Sequence, residues 1–367
     1  MVPLTPTPRQ TTAHPHHHPR PAPGHGGTEE RERPGREEGE TAGPAPAPRP
    51  PGHPAPAPRP SLPTAPAWEL GGLTLHRVDE VALPPRTGPW LLPSATPELV
   101  SHTPWLRPDF ADDAGILRLS SHTFACAVGD LRVLIDTGIG NGKTRANPAW
   151  NGLRTDYLAR LEAAGFPPDT VDLVLLTHLH TDHVGWNTRF DDGDWRPTFP
   201  RARYVTSRRE WDHWATAEMD DARRQMFRDS VHPVRDAGQF DLVDVPAAGT
   251  EIAPGIRLLP TPGHTPGHVA VELRGRTGTA LVTGDCVHHP VQLGHPALGS
   301  CVDTDPELAV ATRRTLLASL DGTGTLLLGT HFPPPTGGLV RAQGDAYRLI
   351  PVPGRPAGTP AATASRV

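Results

Sequence analysis

The chain has 367 residues, 47 of them proline, and a formal net charge of −5 with its histidines neutral. Nineteen of those prolines, seven Arg and six Glu fall in the first 67 residues, so the remainder is acidic and carries no basic block, which excludes a nucleic-acid surface. No apolar run approaches the ~20 residues of a membrane span, there is no apolar core of a secretory signal, and three cysteines without paired metal spacing suit a reduced compartment, so a cytoplasmic protein off the membrane is expected.

Residues 1–67 contain runs such as Pro44-Ala45-Pro46-Ala47-Pro48 and almost no apolar side chains. Burial there cannot offset the entropy of ordering, so a disordered or polyproline-like tail is expected. The cluster His14-Pro15-His16-His17-His18 reads as part of that low-complexity sequence. The stretch 351–367 reads the same way, which leaves residues 68–350 as one large α/β domain.

From Trp68 the pattern becomes strand-like. Leu73–Val78 and Gly115–Leu119 alternate, while Thr123–Val128 and Leu131–Ile135 flank Gly129-Asp130, a two-residue hairpin signal. The intervening segment Leu83 to Phe110, with Trp90 and Trp105, is too long for a simple connection and is predicted to form a substrate-side loop. A helix is predicted over Asn151–Ala164, stopped by Gly165 and Pro167-Pro168. The buried-type strand Val171–Leu176 then delivers Thr177-His178-Leu179-His180-Thr181-Asp182-His183. Arg203–Thr206 is a further strand, and Ser207 is a suitable N-cap for a helical stretch running toward Phe227.

The second half repeats this theme. The strand Ile256–Leu259 leads to Pro262-Gly263-His264-Thr265-Pro266-Gly267-His268. The strand Thr279–Thr283 ends in Gly284-Asp285, and Thr325–Leu328 ends at Gly329-Thr330-His331-Phe332 after a helix over Pro306–Leu320. A His or Asp at each strand end is where an α/β sheet places its site. Two sheets with helices outside, a four-layer αββα sandwich, fit this order.

Neutral imidazole and carboxylate suit zinc and its first-row neighbours. Residues two apart in an extended segment project to the same side, so His178 and His180 can share an ion with His264. Asp182, His183 and His331 can hold a second, with Asp285 between the two. Two divalent ions, most simply Zn²⁺, would hold a water whose pKa falls to near neutrality, supplying a hydroxide nucleophile without any Ser or Cys. Asp182 and Asp285 are thus candidate catalytic as well as metal residues.

These residues resemble the metallo-β-lactamase-fold hydrolases. His178-Leu179-His180-Thr181-Asp182-His183 matches the HxHxDH signature; His264, Asp285 and His331 match its later metal motifs in order, and Asp136-Thr137-Gly138 looks like its first motif, a carboxylate that buttresses the site. The resemblance implies an αββα fold with a dinuclear, usually zinc, centre. Val184–Thr188, His288–Gln292 and His331-Phe332-Pro333 are similar to the branch of quorum-quenching N-acyl homoserine lactonases and methyl parathion hydrolase. That branch implies a hydrolase acting on a small ester or lactone, with an N-acyl homoserine lactone-like substrate favoured. It also leaves open phosphotriester or thioester hydrolysis, and a homodimer, since its members often pair. Asp285 differs from the antibiotic-hydrolysing members, and His180 differs from the flavodiiron members, which weighs against a di-iron redox protein. Lactonases of the branch use an active-site Tyr, whereas Tyr157, Tyr204 and Tyr347 all lie away from the metal motifs.

Among the remaining candidates, Trp186 and Phe332 adjoin metal motifs and are predicted to wall the substrate pocket, and His288 and His289 follow Asp285 closely enough to line it, with His289 favoured. His268 opens a strand and is expected to hydrogen-bond backbone or ligand. Cys286 is expected to be a small buried residue.

Overall fold

Apolar side chains alternating along the strands build two mixed sheets that face each other. The computed structural model of the protein describes residues 65–356; most of both expected tails, His14–His18 included, lies outside the described residues. The first sheet has eight strands in the order Arg355–Pro356, Pro66–Glu69, Leu73–Ala82, Ser120–Val128, Leu131–Ile135, Leu173–Leu175, Arg203–Ser207 and Phe240–Val243. The second has seven: Thr250–Ala253, Ile256–Pro260, Val269–Arg274, Thr279–Val282, Leu326–Leu328, Gly337–Gln343 and Ala346–Pro351.

Between the sheets Leu75, Phe124, Val133 and Leu173 pack with Leu258, Val271, Ala280 and Leu328. The outer face of the first sheet is covered by the helices Tyr157–Ala163 and Arg208–Thr216, through Tyr157, Leu161 and Trp214. The helix Pro306–Leu320 and the segment 83–117 cover the outer face of the second, through Leu317, Leu320, Leu92 and Phe110. The predicted αββα order of layers is the one the chain adopts. Among the described residues no helix is long and apolar enough to cross a membrane.

Several boundaries differ from the sequence reading. Gly115–Leu119 does not join a sheet; only Leu117 bridges to Ala111, and the strand begins at Ser120. The helix expected from Asn151 starts at Tyr157, and the stretch from Ser207 to Phe227 breaks into Arg208–Thr216 and Asp221–Met226, because Asp220 caps a new helix by accepting from Arg223 N at 2.7 Å. At the ends, Pro66-Ala67 and Arg355–Pro356 lie within the stretches assigned to the tails, yet they pair as strands.

Candidate metal centre

Parallel pairing brings the motif loops together. Leu131–Ile135, Leu173–Leu175 and Arg203–Ser207 run parallel, so Asp136, Thr177 and Ser207 leave the first sheet at one end. In the second sheet Thr279–Val282 and Leu326–Leu328 are parallel and deliver Gly284-Asp285 and Gly329-Thr330-His331. Strand C-terminal ends from both sheets therefore supply the site, as in open α/β sheets.

Each loop is locked by buried hydrogen bonds. Asp136 takes a left-handed backbone with φ 55°, which aspartate tolerates. Its carboxylate accepts from Thr177 N and Thr177 Oγ1, both at 2.8 Å, and meets His183 Nδ1 at 2.8 Å. Glu210 ties the two histidine loops to each other: it accepts from Leu179 N at 3.0 Å, Trp214 Nε1 at 2.7 Å, Thr265 Oγ1 at 2.6 Å and Gly267 N at 3.1 Å. Glu80 accepts from Ile139 N, Gly140 N, Ser121 Oγ and Trp186 Nε1, at 2.7, 2.9, 2.9 and 2.7 Å. Glu210 lies three residues after Ser207, a spacing that reads as a capping box. Its side chain instead points into the site wall. Glu80 and Asp303 lie far from any motif and carried no sequence signal.

Seven side chains converge. His264 Nε2 stands 3.2 Å from His178 Nε2 and 2.9 Å from His180 Nδ1. Asp182 places Oδ1 3.9 Å from His183 Nε2 and Oδ2 3.6 Å from His331 Nε2. Asp285 faces both groups: Oδ2 lies 3.4 Å from His264 Nε2 and 3.9 Å from His178 Nε2, and Oδ1 lies 3.4 Å from His183 Nε2 and 3.1 Å from His331 Nε2. All seven expected metal residues are thus together.

The outward nitrogens are spoken for. His183 Nδ1 meets Asp136, His264 Nδ1 meets Asp303 Oδ1 at 3.0 Å, and His331 Nδ1 donates to Ser120 O at 3.0 Å. Protons held on those nitrogens turn the Nε2 lone pairs inward. His183 Nε2 is buried without a hydrogen-bond partner. Lone pairs aimed at one another repel unless a cation sits among them. Tetrahedral ligands at the ~2.0–2.1 Å of zinc–imidazole bonds stand roughly 3.3 Å apart, close to the spacing of the first group. The residues therefore fit divalent cations.

Electrostatics agree with this fit. Burial, then neighbouring imidazoles, holds His178 and His180 well below the ordinary histidine pKa, in the neutral ligand form. Burial is the largest influence on His183 and His331 and opposes their charge, but the carboxylates together, Asp285 with Asp136 and Asp182 for His183 and Asp285 with Asp182 for His331, raise both. Burial disfavours the Asp285 carboxylate, yet His331, His183 and His288 keep its pKa well below the usual range. Protons and metal ions therefore compete for the same negatively biased pocket.

A cavity of about 140 Å³ over His180, Asp182, Asp285 and His331 is walled by Leu83, Trp90, Trp150 and Arg223. Trp90, Trp150, Thr181 and Arg223 also line an adjoining space of about 730 Å³. The segment expected to form a substrate-side loop thus contributes Leu83, Thr87, Trp90 and Leu91. The three side chains expected to wall the pocket do not line it. Trp186 is buried beneath, stacked on Tyr157 with centroids 5.2 Å apart and its N–H on Glu80. Phe332 is fully buried against Phe110, and His289 spends Nε2 on Phe110 O at 2.9 Å and Nδ1 on Val291 N at 3.0 Å. Each lies within four residues of an expected ligand but on the inward side of its loop, packed into the core.

His288, one residue earlier, is the histidine that faces the centre: Nε2 lies 3.3 Å from Asp285 Oδ2, and neither ring nitrogen has a hydrogen-bond partner. His268 accepts from Asp285 N at 2.9 Å and so positions the bridging loop. Cys286 is buried, and burial pushes its thiol up to about 12. Tyr157 and Tyr204 spend their hydroxyls on Thr123 Oγ1 at 2.7 Å and Asn187 O at 3.0 Å, inside the core.

An αββα sandwich with imidazoles and carboxylates converging at its strand ends defines a metal-dependent hydrolase. The model of the metallo-beta-lactamase superfamily matches residues 119–342. The chain belongs to that superfamily. It is 24% identical over 199 residues to N-acyl homoserine lactonase AiiA of Bacillus thuringiensis subsp. kurstaki, covering 50% of this chain and 70% of that protein. It is 30% identical over 193 residues to N-acyl homoserine lactonase AiiB of Agrobacterium fabrum, covering 49% and 66%. Among solved structures, hydrolase AbOPH of the beta lactamase superfamily aligns with a TM-score of 0.64 at 24% identity, over 80% of this chain and 98% of that one. AidC, a dizinc quorum-quenching lactonase in complex with a product, aligns with a TM-score of 0.65 at 20% identity, over 79% and 98%. These two structures carry the fold comparison alone.

Proposed function

We propose that the chain is a dinuclear metal-dependent hydrolase of small esters or lactones, with an N-acyl homoserine lactone-like substrate favoured. The observation that carries this reading is Asp285, whose two oxygens face different imidazole groups, so that one carboxylate could serve two cations. His178, His180 and His264 would hold one ion, and Asp182, His183 and His331 the other. When bound, two divalent ions, Zn²⁺ by ligand type, supply hydroxide near neutral pH and polarise the scissile carbonyl.

The chain's own residues do the rest. Asp136, Asp303 and the Ser120 carbonyl orient His183, His264 and His331. Thr330 Oγ1, donating to Asp285 Oδ1 at 3.0 Å, steadies the bridging carboxylate. Trp90, Trp150 and Leu83 give the cavity apolar walls that suit an acyl chain. The likeness to lactonases AiiA and AiiB supports a lactone substrate.

The test joins metal quantification to a panel of an N-acyl lactone, an aryl phosphotriester and a glutathione thioester. Two equivalents of metal and fastest turnover of the lactone are expected. Turnover of only the phosphotriester or only the thioester would refute the ester or lactone assignment, and a reducible iron pair without hydrolysis would refute the hydrolytic role of the pair. His178→Ala is expected to abolish turnover in a folded protein; unchanged activity would refute its role.

A further inference from the structure

Arg223 is the one Lys or Arg among the described residues lining the small cavity that also exposes His180, Asp182, Asp285 and His331. Its guanidinium carbon sits 4.2 Å from the centre of the Trp214 ring, so one face is covered while the in-plane N–H donors stay free. Nη1 is buried and has no hydrogen-bond partner. Neighbouring cations differ. Arg145 forms a bidentate pair with Asp229 at 2.8 and 2.9 Å, and Arg224 pairs with Asp221 at 2.6 Å, whereas among the described residues no carboxylate pairs with Arg223. Arg223 is half-buried; burial is the largest influence on its charge and opposes it, while Asp220, Glu210 and Asp182 favour it without forming an ion pair. The buried Nη1 donor is left without an acceptor, and a bound anionic oxygen would supply one.

Its placement is fixed by the scaffold of the metal loops. Trp214, on which it stacks, donates to Glu210 at 2.7 Å, and Glu210 also accepts from Leu179 N between His178 and His180. Asp220 holds its backbone at 2.7 Å. A cation held this rigidly beside the ligands costs little reorganisation when charge appears next to it.

We propose that Arg223 is a substrate-contacting residue, donating from its guanidinium to the acyl oxygen that gains negative charge during cleavage and to the carboxylate product. The proposal rests on the ester or lactone reading. In that hydrolysis a water oxygen joins the acyl carbon and the acyl–alkoxy bond breaks. One water proton goes to the alkoxy oxygen, the other is released, and the acid leaves as a carboxylate. A neutral group thus becomes an anion beside Arg223, with its apolar remainder directed toward Trp90 and Trp150.

The experiment measures hexanoate binding by calorimetry to zinc-loaded wild type, Arg223→Gln and Arg223→Lys, together with metal content and ester kinetics. Arg223→Gln is expected to weaken hexanoate by about 10- to 100-fold, the range of a charge-assisted hydrogen bond. It should lower kcat about 100-fold with KM nearly unchanged, as loss of one oxyanion donor does, while metal content stays at the wild-type level. Arg223→Lys keeps the charge without the planar fork and is expected to be intermediate; it also serves if the Gln variant does not fold. Hexanoate affinity equal to wild type in either variant overturns the proposal. Arg223-dependent hexanoate binding by a wild type that cleaves no ester would instead sink the ester reading and leave Arg223 as an anion-binding residue.

Discussion

Asp136 Oδ2 lies 2.8 Å from His183 Nδ1, and that one contact decides which nitrogen of His183 faces the centre. Replacing Asp136 by Asn removes the charge that keeps the proton on Nδ1. Such outer partners are worth about 10- to 100-fold in metal affinity. Asp136→Asn is expected to show a loss of that size for one of two ions, read by titration against a chromogenic chelator, with circular dichroism unchanged. Wild-type affinity for both ions would show that Asp136 is only a loop-closing residue.

Asp285 spans two imidazole groups, so its loss is expected to affect both sites. Asp285→Asn keeps the shape but halves the acceptor capacity and removes the charge. Metal bound per chain, measured by plasma emission after gel filtration, should fall below two, and turnover should drop by at least about 100-fold. Two tightly bound ions in this variant would contradict the shared-carboxylate geometry.

Glu80 is buried with four donors converging on its carboxylate; burial raises its pKa, and the hydrogen bonds from Ile139, Gly140, Ser121 and Trp186 oppose that rise. A Gln side chain there would aim an N–H₂ at N–H donors, leaving at least one buried group unpaired. The expected cost of Glu80→Gln is about 1–3 kcal/mol, measured by denaturant unfolding. The same packing forbids a side chain at Gly138, where φ is 60° and a Cβ would collide with Glu80 Oε2. Gly138→Ala should destabilise by a comparable amount.

Lys143 is fully buried, its Nζ bonded to Thr188 Oγ1 at 2.7 Å and Asp229 O at 3.0 Å. Burial lowers its pKa to about 7, with Asp229 opposing and Arg145 assisting. The sign follows from linkage. The folded pKa is below the unfolded one, so between pH ~7 and ~10 the unfolded chain binds more protons and stability rises with pH, by on the order of a few kcal/mol. Below pH 7 both states are protonated and this dependence vanishes. Chemical denaturation from pH 7 to 9.5 should show the rise, and Lys143→Met should flatten it; parallel curves would place the titration elsewhere.

Removing bound metal should lower stability as well as activity. Ligands that bind only the folded state stabilise it by about 4 kcal/mol at a thousandfold excess over Kd. Dialysis against a chelator is expected to lower Tm, and added Zn²⁺ should restore it. An unchanged Tm would mean that the imidazole cluster is held by the protein scaffold alone.

The sequence by itself determined the hairpin at Gly129-Asp130, the helix Pro306–Leu320 and the seven residues that converge at the centre. Those signals are local, because periodicity, capping and ligand spacing act within a few residues. Tertiary structure alone decided what surrounds them. Glu80, Glu210 and Asp303 serve the site through contacts formed across the fold, such as Glu210 with Gly267 and His264 with Asp303, which no spacing encodes. It also decided the pocket wall. Trp186, Phe332 and His289 lie within four residues of expected ligands along the chain, yet loop curvature turns them into the core, while Trp90, Trp150 and Arg223 reach the cavity from distant segments. A ligand's identity is a property of its residue type; which side of a loop its neighbour faces is set by packing of the whole sandwich.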